Sequence, residues 1–160
     1  MNWPALSLWI LGSLSPGIIG SVFTAKARSW FNELTKPTWN PPSWIFAPVW
    51  TALYVFMGIA AYRVWTHGGF QLQRFALSLF MVQLGLNLTW SYIFFGRKRL
   101  DEALQEILFL WVAIAATLVL FVRVDLIAGL LLVPYLLWVS FAALLNSAIY
   151  QLNKKPKDAV

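Results

Sequence analysis

Gln83, Asn87 and Trp90 recur at steps of four and three; Tyr135, Trp138, Ala142 and Asn146 at three, four and four; Trp50, Tyr54, Met57 and Ala61 at four, three and four. Each spacing gathers its members on one face of an α-helix. Side chains of these types bind and orient. Carboxamides offer a donor and an acceptor, and indole and phenol rings offer apolar faces with one polar tip. Together they suit a flat, largely apolar ligand that carries some polar groups. Residues for conventional catalysis are sparse. His67 is the only histidine and, beside Gly68 and Gly69, reads as a loop residue rather than a haem or metal ligand. There is no cysteine, no metal site is expected, and no acid reads as lying deep in a helix, Glu106 sitting near an end. Asp101, Glu102 and Asp125 read as helix caps, as does Ser43.

The elements that must position these residues are set by composition. Of 160 residues 60% are hydrophobic and 11% charged, with a mean hydropathy of +0.69. Five apolar stretches approach or reach the roughly 20 residues that cross a bilayer as helix, at about 5–25, 44–65, 75–95, 103–122 and 126–149. The fold class is therefore an all-α integral membrane protein, a bundle of five transmembrane helices forming one domain over 1–160. A β-barrel would alternate apolar and polar residues, unlike the run from Ile107 to Val122. The first stretch reads as a membrane helix rather than a signal peptide, since nothing basic precedes it. Amides are costly against lipid, so Gln83, Asn87 and Asn146 should face the bundle interior and bring the aromatic stripes with them. Pro16, Pro48 and Pro134 each remove a helix hydrogen bond, and bent helices leave room between them. Gly12, Gly17 and Gly20 give the first helix a surface for close contact.

The net charge of +6 reports topology rather than nucleic-acid binding. Lys26, Arg28, Lys36, Arg97, Lys98, Arg99, Lys154, Lys155 and Lys157 fall on one side, against Arg63, Arg74 and Arg123 on the other. Nine against three places the N-terminus outside and the C-terminus in the cytoplasm. The rule fixes a side and leaves inner versus outer membrane open.

The connection at 26–43 is long for a compact bundle. Pro37, Pro41 and Pro42 stiffen it, and with Trp30 and Phe31 it reads as an ordered lid on the cytoplasmic mouth. Amphipathic rings also collect at membrane interfaces, and Trp3, Trp9, Trp65 and Trp111 are assigned there or to packing. Trp30, Trp39 and Trp44 suit belt or lid alike, whereas Trp50, Trp90 and Trp138 are candidates for a cavity.

Three blocks carry a resemblance. They are Trp30-Phe31 with Leu34-Thr35-Lys36-Pro37-Thr38-Trp39-Asn40-Pro41-Pro42-Ser43-Trp44 and Pro48-Val49-Trp50-Thr51-Ala52-Leu53-Tyr54; Gln83-Leu84-Gly85-Leu86-Asn87-Leu88-Thr89-Trp90-Ser91 with Phe94-Phe95; and Val133-Pro134-Tyr135-Leu136-Leu137-Trp138 with Phe141-Ala142 and Leu145-Asn146. The chain resembles the translocator protein, or tryptophan-rich sensory protein (TspO/MBR), family over nearly its whole length. The resemblance implies a commonly dimeric five-helix protein that binds porphyrins and haem-like tetrapyrroles, with sterols or drug-like hydrophobic ligands in some members. Porphyrin or haem enters as ligand, and no cofactor is required. Carried over by position, the pocket residues are Trp39, Trp50, Asn87, Trp138 and Ala142, with Tyr54, Trp90 and Asn146 as neighbours. Many relatives have Tyr where this chain has Phe31, so a hydroxyl contact is missing there. The function implied is a membrane-embedded tetrapyrrole sensor with a regulatory or transport role. The alternatives are a light-dependent porphyrin-degrading enzyme using Trp50 and Trp138, and a passive carrier. A sterol-type pattern can be written through Leu145, Tyr150 and Lys154, but such spacings arise easily at the basic end of any membrane helix.

Overall fold

The computed structural model describes residues 2–67 and 69–154, with Phe70 as backbone alone. Gly68, Lys155 and Lys157, used above for the outer loop and the charge count, lie outside the described residues. The elements are α1 (Trp3–Lys26), α2 (Arg28–Glu33), α3 (Ser43–His67), α4 (Phe70–Ser91) with a π-helical extension (Tyr92–Gly96), α5 (Leu100–Val124) and α6 (Leu126–Asn153). Among the described residues, five helical stretches are long and apolar enough to cross a membrane: α1, α3, α4 with its extension, α5 and α6. The protein is an all-α, multi-pass integral membrane protein.

The long helices close a ring in the spatial order α1, α3, α6, α5, α4 and back to α1. One core cluster fills the half of the bundle around Met57, Phe80, Phe121 and Tyr135. A smaller one gathers Phe94, Ala103, Leu145 and Ile149 beneath α2, with Trp30, Phe31 and Leu34 packed against it. Outward faces carry apolar residues such as Leu8, Phe109 and Leu137, as lipid contact requires.

Several ends are closed as elementary chemistry dictates. Asn2 caps α1 by accepting from the Ala5 N–H at 3.2 Å. Asp125 is the single residue between α5 and α6 and caps α6, accepting from the Ala128 N–H at 2.7 Å. Its carboxylate also takes a two-pronged ion pair from Arg63 of α3 at 2.8 and 3.0 Å, which holds the Asp125 carboxyl below the usual carboxylate range. Gly129 makes this corner possible, because a Cβ there would run into the Val122 side chain.

The prolines do not interrupt their helices. Pro16 lies buried within α1 and cannot donate to the Gly12 carbonyl, four residues back; the Ser15 hydroxyl donates to that carbonyl at 2.7 Å.

Three local readings change. Arg28–Glu33 is a helix, so the connection at 26–43 is a short helix followed by an extended stretch rather than a loop throughout. Ser43 is the first residue of α3 rather than its cap. Asp101 and Glu102 lie in the first turn of α5, after Arg99 at the cap position, and form ion pairs with Arg97 and Arg99 at 2.9 to 3.2 Å. The sharp turn between α4 and α5 places Lys98 in the left-handed region (φ 57°), at a cost of about 1–3 kcal/mol, and lays its ammonium over the Trp30 ring at 5.8 Å.

Candidate functional site

At the α2 end of the bundle a cavity of roughly 210 Å³ opens between α1, α3, α4 and α6, and among the described residues α5 contributes nothing to its lining. The inward faces read from spacing meet there. Trp50 and Tyr54 come from α3, Asn87 and Trp90 from α4, Trp138, Ala142 and Asn146 from α6. Gly17 and Gly20 of α1 complete the wall. A Cβ on Gly17 would run into the Tyr54 ring, and one on Gly20 would come within 3.1 Å of Ser91 Oγ, so α1 approaches only because side chains are absent.

Hydrogen bonds fix the polar groups. The Tyr54 hydroxyl donates to Asn87 Oδ1 at 2.5 Å, Asn87 Nδ2 donates to the Tyr135 hydroxyl at 3.1 Å, and that hydroxyl donates to Gln83 Oε1 at 2.9 Å. All four side chains are buried, and the chain of bonds joins α3, α4 and α6, running from Tyr54 and Asn87 on the cavity wall to Tyr135 and Gln83 behind it. A second link runs from Trp90 Nε1 to Asn146 Oδ1 at 3.2 Å, and from Asn146 Nδ2 to the Leu100 carbonyl at 3.1 Å. Trp138 differs from them. Its indole N–H is buried without a hydrogen-bond partner, on the wall of the cavity.

The rings interlock. Trp50 stacks on Tyr54 at 5.5 Å, and Phe46 meets Trp138 edge-on at 5.8 Å. Phe31 of α2 reaches the cavity, and Trp30 packs edge-on against Phe94, another wall residue, at 6.1 Å. Pro41 and Pro42 are not among the lining residues. The stretch after α2 is clasped to α6 instead. Asn153 accepts from the Thr35 N–H at 3.0 Å and donates to the Thr35 carbonyl at 2.8 Å.

Trp39 is placed elsewhere. It is 49% exposed, outside the cavity, in a groove on the outer side of α6 with Pro37 and Leu144. Phe141 stands between it and the cavity wall, 5.8 Å from the Trp39 ring and 5.4 Å from that of Trp138. The stretch following Leu34 runs over α6, which carries Trp39 past the cavity mouth. Trp44 is 74% exposed at the start of α3, in keeping with an interfacial ring. Trp3 and Trp65 are also exposed, Trp9 packs on Phe80, and Trp111 donates to Ser140 Oγ at 2.7 Å on the outer face of α5 and α6.

Two further residues differ from their sequence reading. His67 is the last residue of α3 rather than a loop residue, its Nδ1 lying 2.9 Å from the Arg63 carbonyl. Glu106 lies near the start of α5, as its position in the sequence indicates, but it is enclosed there: it is 8% exposed, and both carboxyl oxygens are buried without a partner.

Sequence spacing missed Phe46, Phe94 and Phe95 as wall residues. Phe94 continues the stripe of Gln83, Asn87 and Trp90 at a step of four, and Phe95 follows it in the π-helical turn, where the Arg97 N–H reaches five residues back to the Tyr92 carbonyl at 2.8 Å. Gln83 and Tyr135 were visible as inward residues, but not as the far half of the hydrogen-bonded chain.

Comparison with known proteins agrees along the whole bundle. The TspO/MBR family model matches residues 9–152. The tryptophan-rich protein TspO of Chlorobaculum tepidum is 47% identical over 150 residues, covering 92% of this chain and 95% of that protein. The tryptophan-rich sensory protein of Cereibacter sphaeroides is 38% identical over 159 residues, covering 99% and 98%. The translocator protein of Bos taurus is 38% identical over 154 residues, covering 94% and 90%.

Proposed function

Because this chain belongs to the TspO/MBR family, we propose that it is a membrane-embedded binding protein and sensor for porphyrins and related tetrapyrroles, with a regulatory or transport role. The observation that carries the reading is the Trp138 indole: the residue lines a largely apolar and aromatic cavity, and its N–H is buried without a partner. Buried donors are almost always satisfied, so an unpartnered N–H on a cavity-lining residue favours a ligand whose seating brings an acceptor to it. The ring faces of Trp50, Trp90 and Trp138 suit a flat conjugated ligand.

Ligand pockets commonly measure about 300–1,000 Å³, and this cavity is smaller. A macrocycle enters if the cover carrying Phe31 moves, and that cover is a helix of six residues outside the ring of long helices. The lid reading is thereby narrowed to α2 and the Thr35 clasp. The protein sits with its N-terminus outside and its α2 end in the cytoplasm, where Arg28, Arg97 and Lys98 gather, and it works as a homodimer.

Titrating purified protein with protoporphyrin IX, with tryptophan fluorescence as readout, tests this in darkness and in light. Saturable quenching, weakened in Trp138→Ala and Asn87→Ala, is expected in both conditions. Quenching that does not saturate, or that ignores both substitutions, refutes it. A new absorbing product that forms only in light, and only with Trp50 and Trp138 intact, identifies the enzyme instead.

A further inference from the structure

We infer that Gln83 and Tyr135, neither of which lines the cavity, set the hydrogen-bond polarity of its floor, so that Tyr54 presents an acceptor and Asn87 a donor. The cavity then selects flat ligands that bring an N–H or O–H to Tyr54. The inference rests on the reading of the cavity as a ligand site.

A phenol carries one hydrogen, so the Tyr135 hydroxyl can donate to Gln83 or to Asn87, not to both. Gln83 decides between them. Its Nε2 is directed at Met57 Sδ, 3.9 Å away, which leaves Oε1 facing the Tyr135 hydroxyl at 2.9 Å. With its hydrogen used there, Tyr135 must accept, and it accepts from Asn87 Nδ2 at 3.1 Å. The Asn87 amide is thereby turned so that Oδ1 faces Tyr54, whose hydrogen goes to it at 2.5 Å. The Tyr54 oxygen then has only lone pairs left for the cavity, and Asn87 keeps one N–H that this chain of bonds does not use. Burial locks the arrangement. Reversing one member alone would set donor against donor or acceptor against acceptor, most costly at the Gln83–Tyr135 link, which lies behind the cavity wall.

The specificity of the floor is thus written two side chains away from the ligand. Without the Gln83 carbonyl the chain can invert. Tyr135 would donate to Asn87 Oδ1, Asn87 Nδ2 would donate to Tyr54, and the Tyr54 hydrogen would point into the cavity.

Carbazole and dibenzofuran test this as isosteric flat tricycles, the first with a ring N–H and the second with a ring oxygen. Each is competed against bound protoporphyrin IX, followed by porphyrin absorbance, in the full-length protein. Dibenzofuran can accept from the Asn87 N–H that remains, so the quantity read is the change in the carbazole-to-dibenzofuran affinity ratio. Gln83→Met, which keeps the volume and removes the carbonyl, should lower that ratio about tenfold, the value of one well-placed hydrogen bond. Tyr135→Phe, which cuts the link while retaining the ring, should also lower it. A merely structural role for either residue would change both affinities together and leave their ratio intact. An unchanged ratio in the two variants, in a protein that binds porphyrin saturably, overturns the inference and spares the ligand-site reading. Absence of saturable porphyrin binding overturns both.

Discussion

Asn153, in the last turn of α6, grips the backbone of Thr35 from both sides, one amide atom accepting from its N–H and the other donating to its carbonyl. The two residues are 118 positions apart, and the clasp ties the stretch that follows α2 to the helix bearing Trp138 and Asn146. It adds a polar fastening to the aromatic packing of Trp30 and Phe31 on Phe94 that holds the cover over the cavity.

Asn153→Ala should therefore loosen the cover without unfolding the protein. Two hydrogen bonds of this kind contribute about 1–3 kcal/mol together. Porphyrin dissociation is expected to accelerate by about one order of magnitude, with amide exchange rising at residues 34–40 and the thermal midpoint little changed. Stopped-flow release and hydrogen exchange measure both.

Glu106→Leu should stabilise the protein. Both carboxyl oxygens of Glu106 are buried and unpartnered, and a buried polar group left in that state costs about 1–3 kcal/mol relative to an apolar side chain that fits. A higher melting temperature in detergent is the expected result, and a lower one would show that the carboxyl meets a partner in the membrane.

Gly58→Ala and Gly17→Ala separate stability from binding. A Cβ on Gly58 would lie 2.5 Å from Ile10 Cα, so the α1 backbone must move, at about 1–3 kcal/mol. A Cβ on Gly17 would run into the Tyr54 ring, a side chain held by the Asn87 hydrogen bond and the Trp50 stack. Both substitutions should lower the melting temperature, and only the second should also weaken porphyrin binding, by tilting Tyr54 off Trp50.

The Asp125 ion pair predicts an acid limb. Arg63 depresses the carboxyl of Asp125, so its contribution is fully present above the ordinary carboxylate range and is lost as pH falls through the lowered native value. Thermal stability should stay level from neutral pH into the mildly acidic range and fall only below it. Asp125→Asn should reduce stability at neutral pH and flatten that limb.

The parts of this molecule legible in the sequence are those governed by one helix at a time. Gln83, Asn87 and Asn146 had to leave the lipid, and their spacing then carried Trp90, Trp138 and Tyr135 inward. What could not be read depends on how segments cross. Trp39 shares a motif with cavity residues, yet the path of the stretch after Leu34 carries it over α6 to the outside. Glu106 stands near the end of α5 along the chain, and its burial there depends on neighbours from other segments. The Asn153 clasp is invisible in the sequence, because nothing local marks Thr35 as its partner. The polarity of the cavity floor depends on Gln83 meeting Tyr135 from a different helix.

The π-helical turn at Tyr92–Gly96 has a consequence for how this cavity can be resized. A π-turn holds one residue more than the α-helical turn it replaces, so it is a reversible insertion in the chain. Deleting Phe95 there would restore ordinary helical register and remove its ring from the wall. Chamber size is thus adjustable by length, in a step of one aromatic ring, with the lipid-facing sequence of the other four spans untouched.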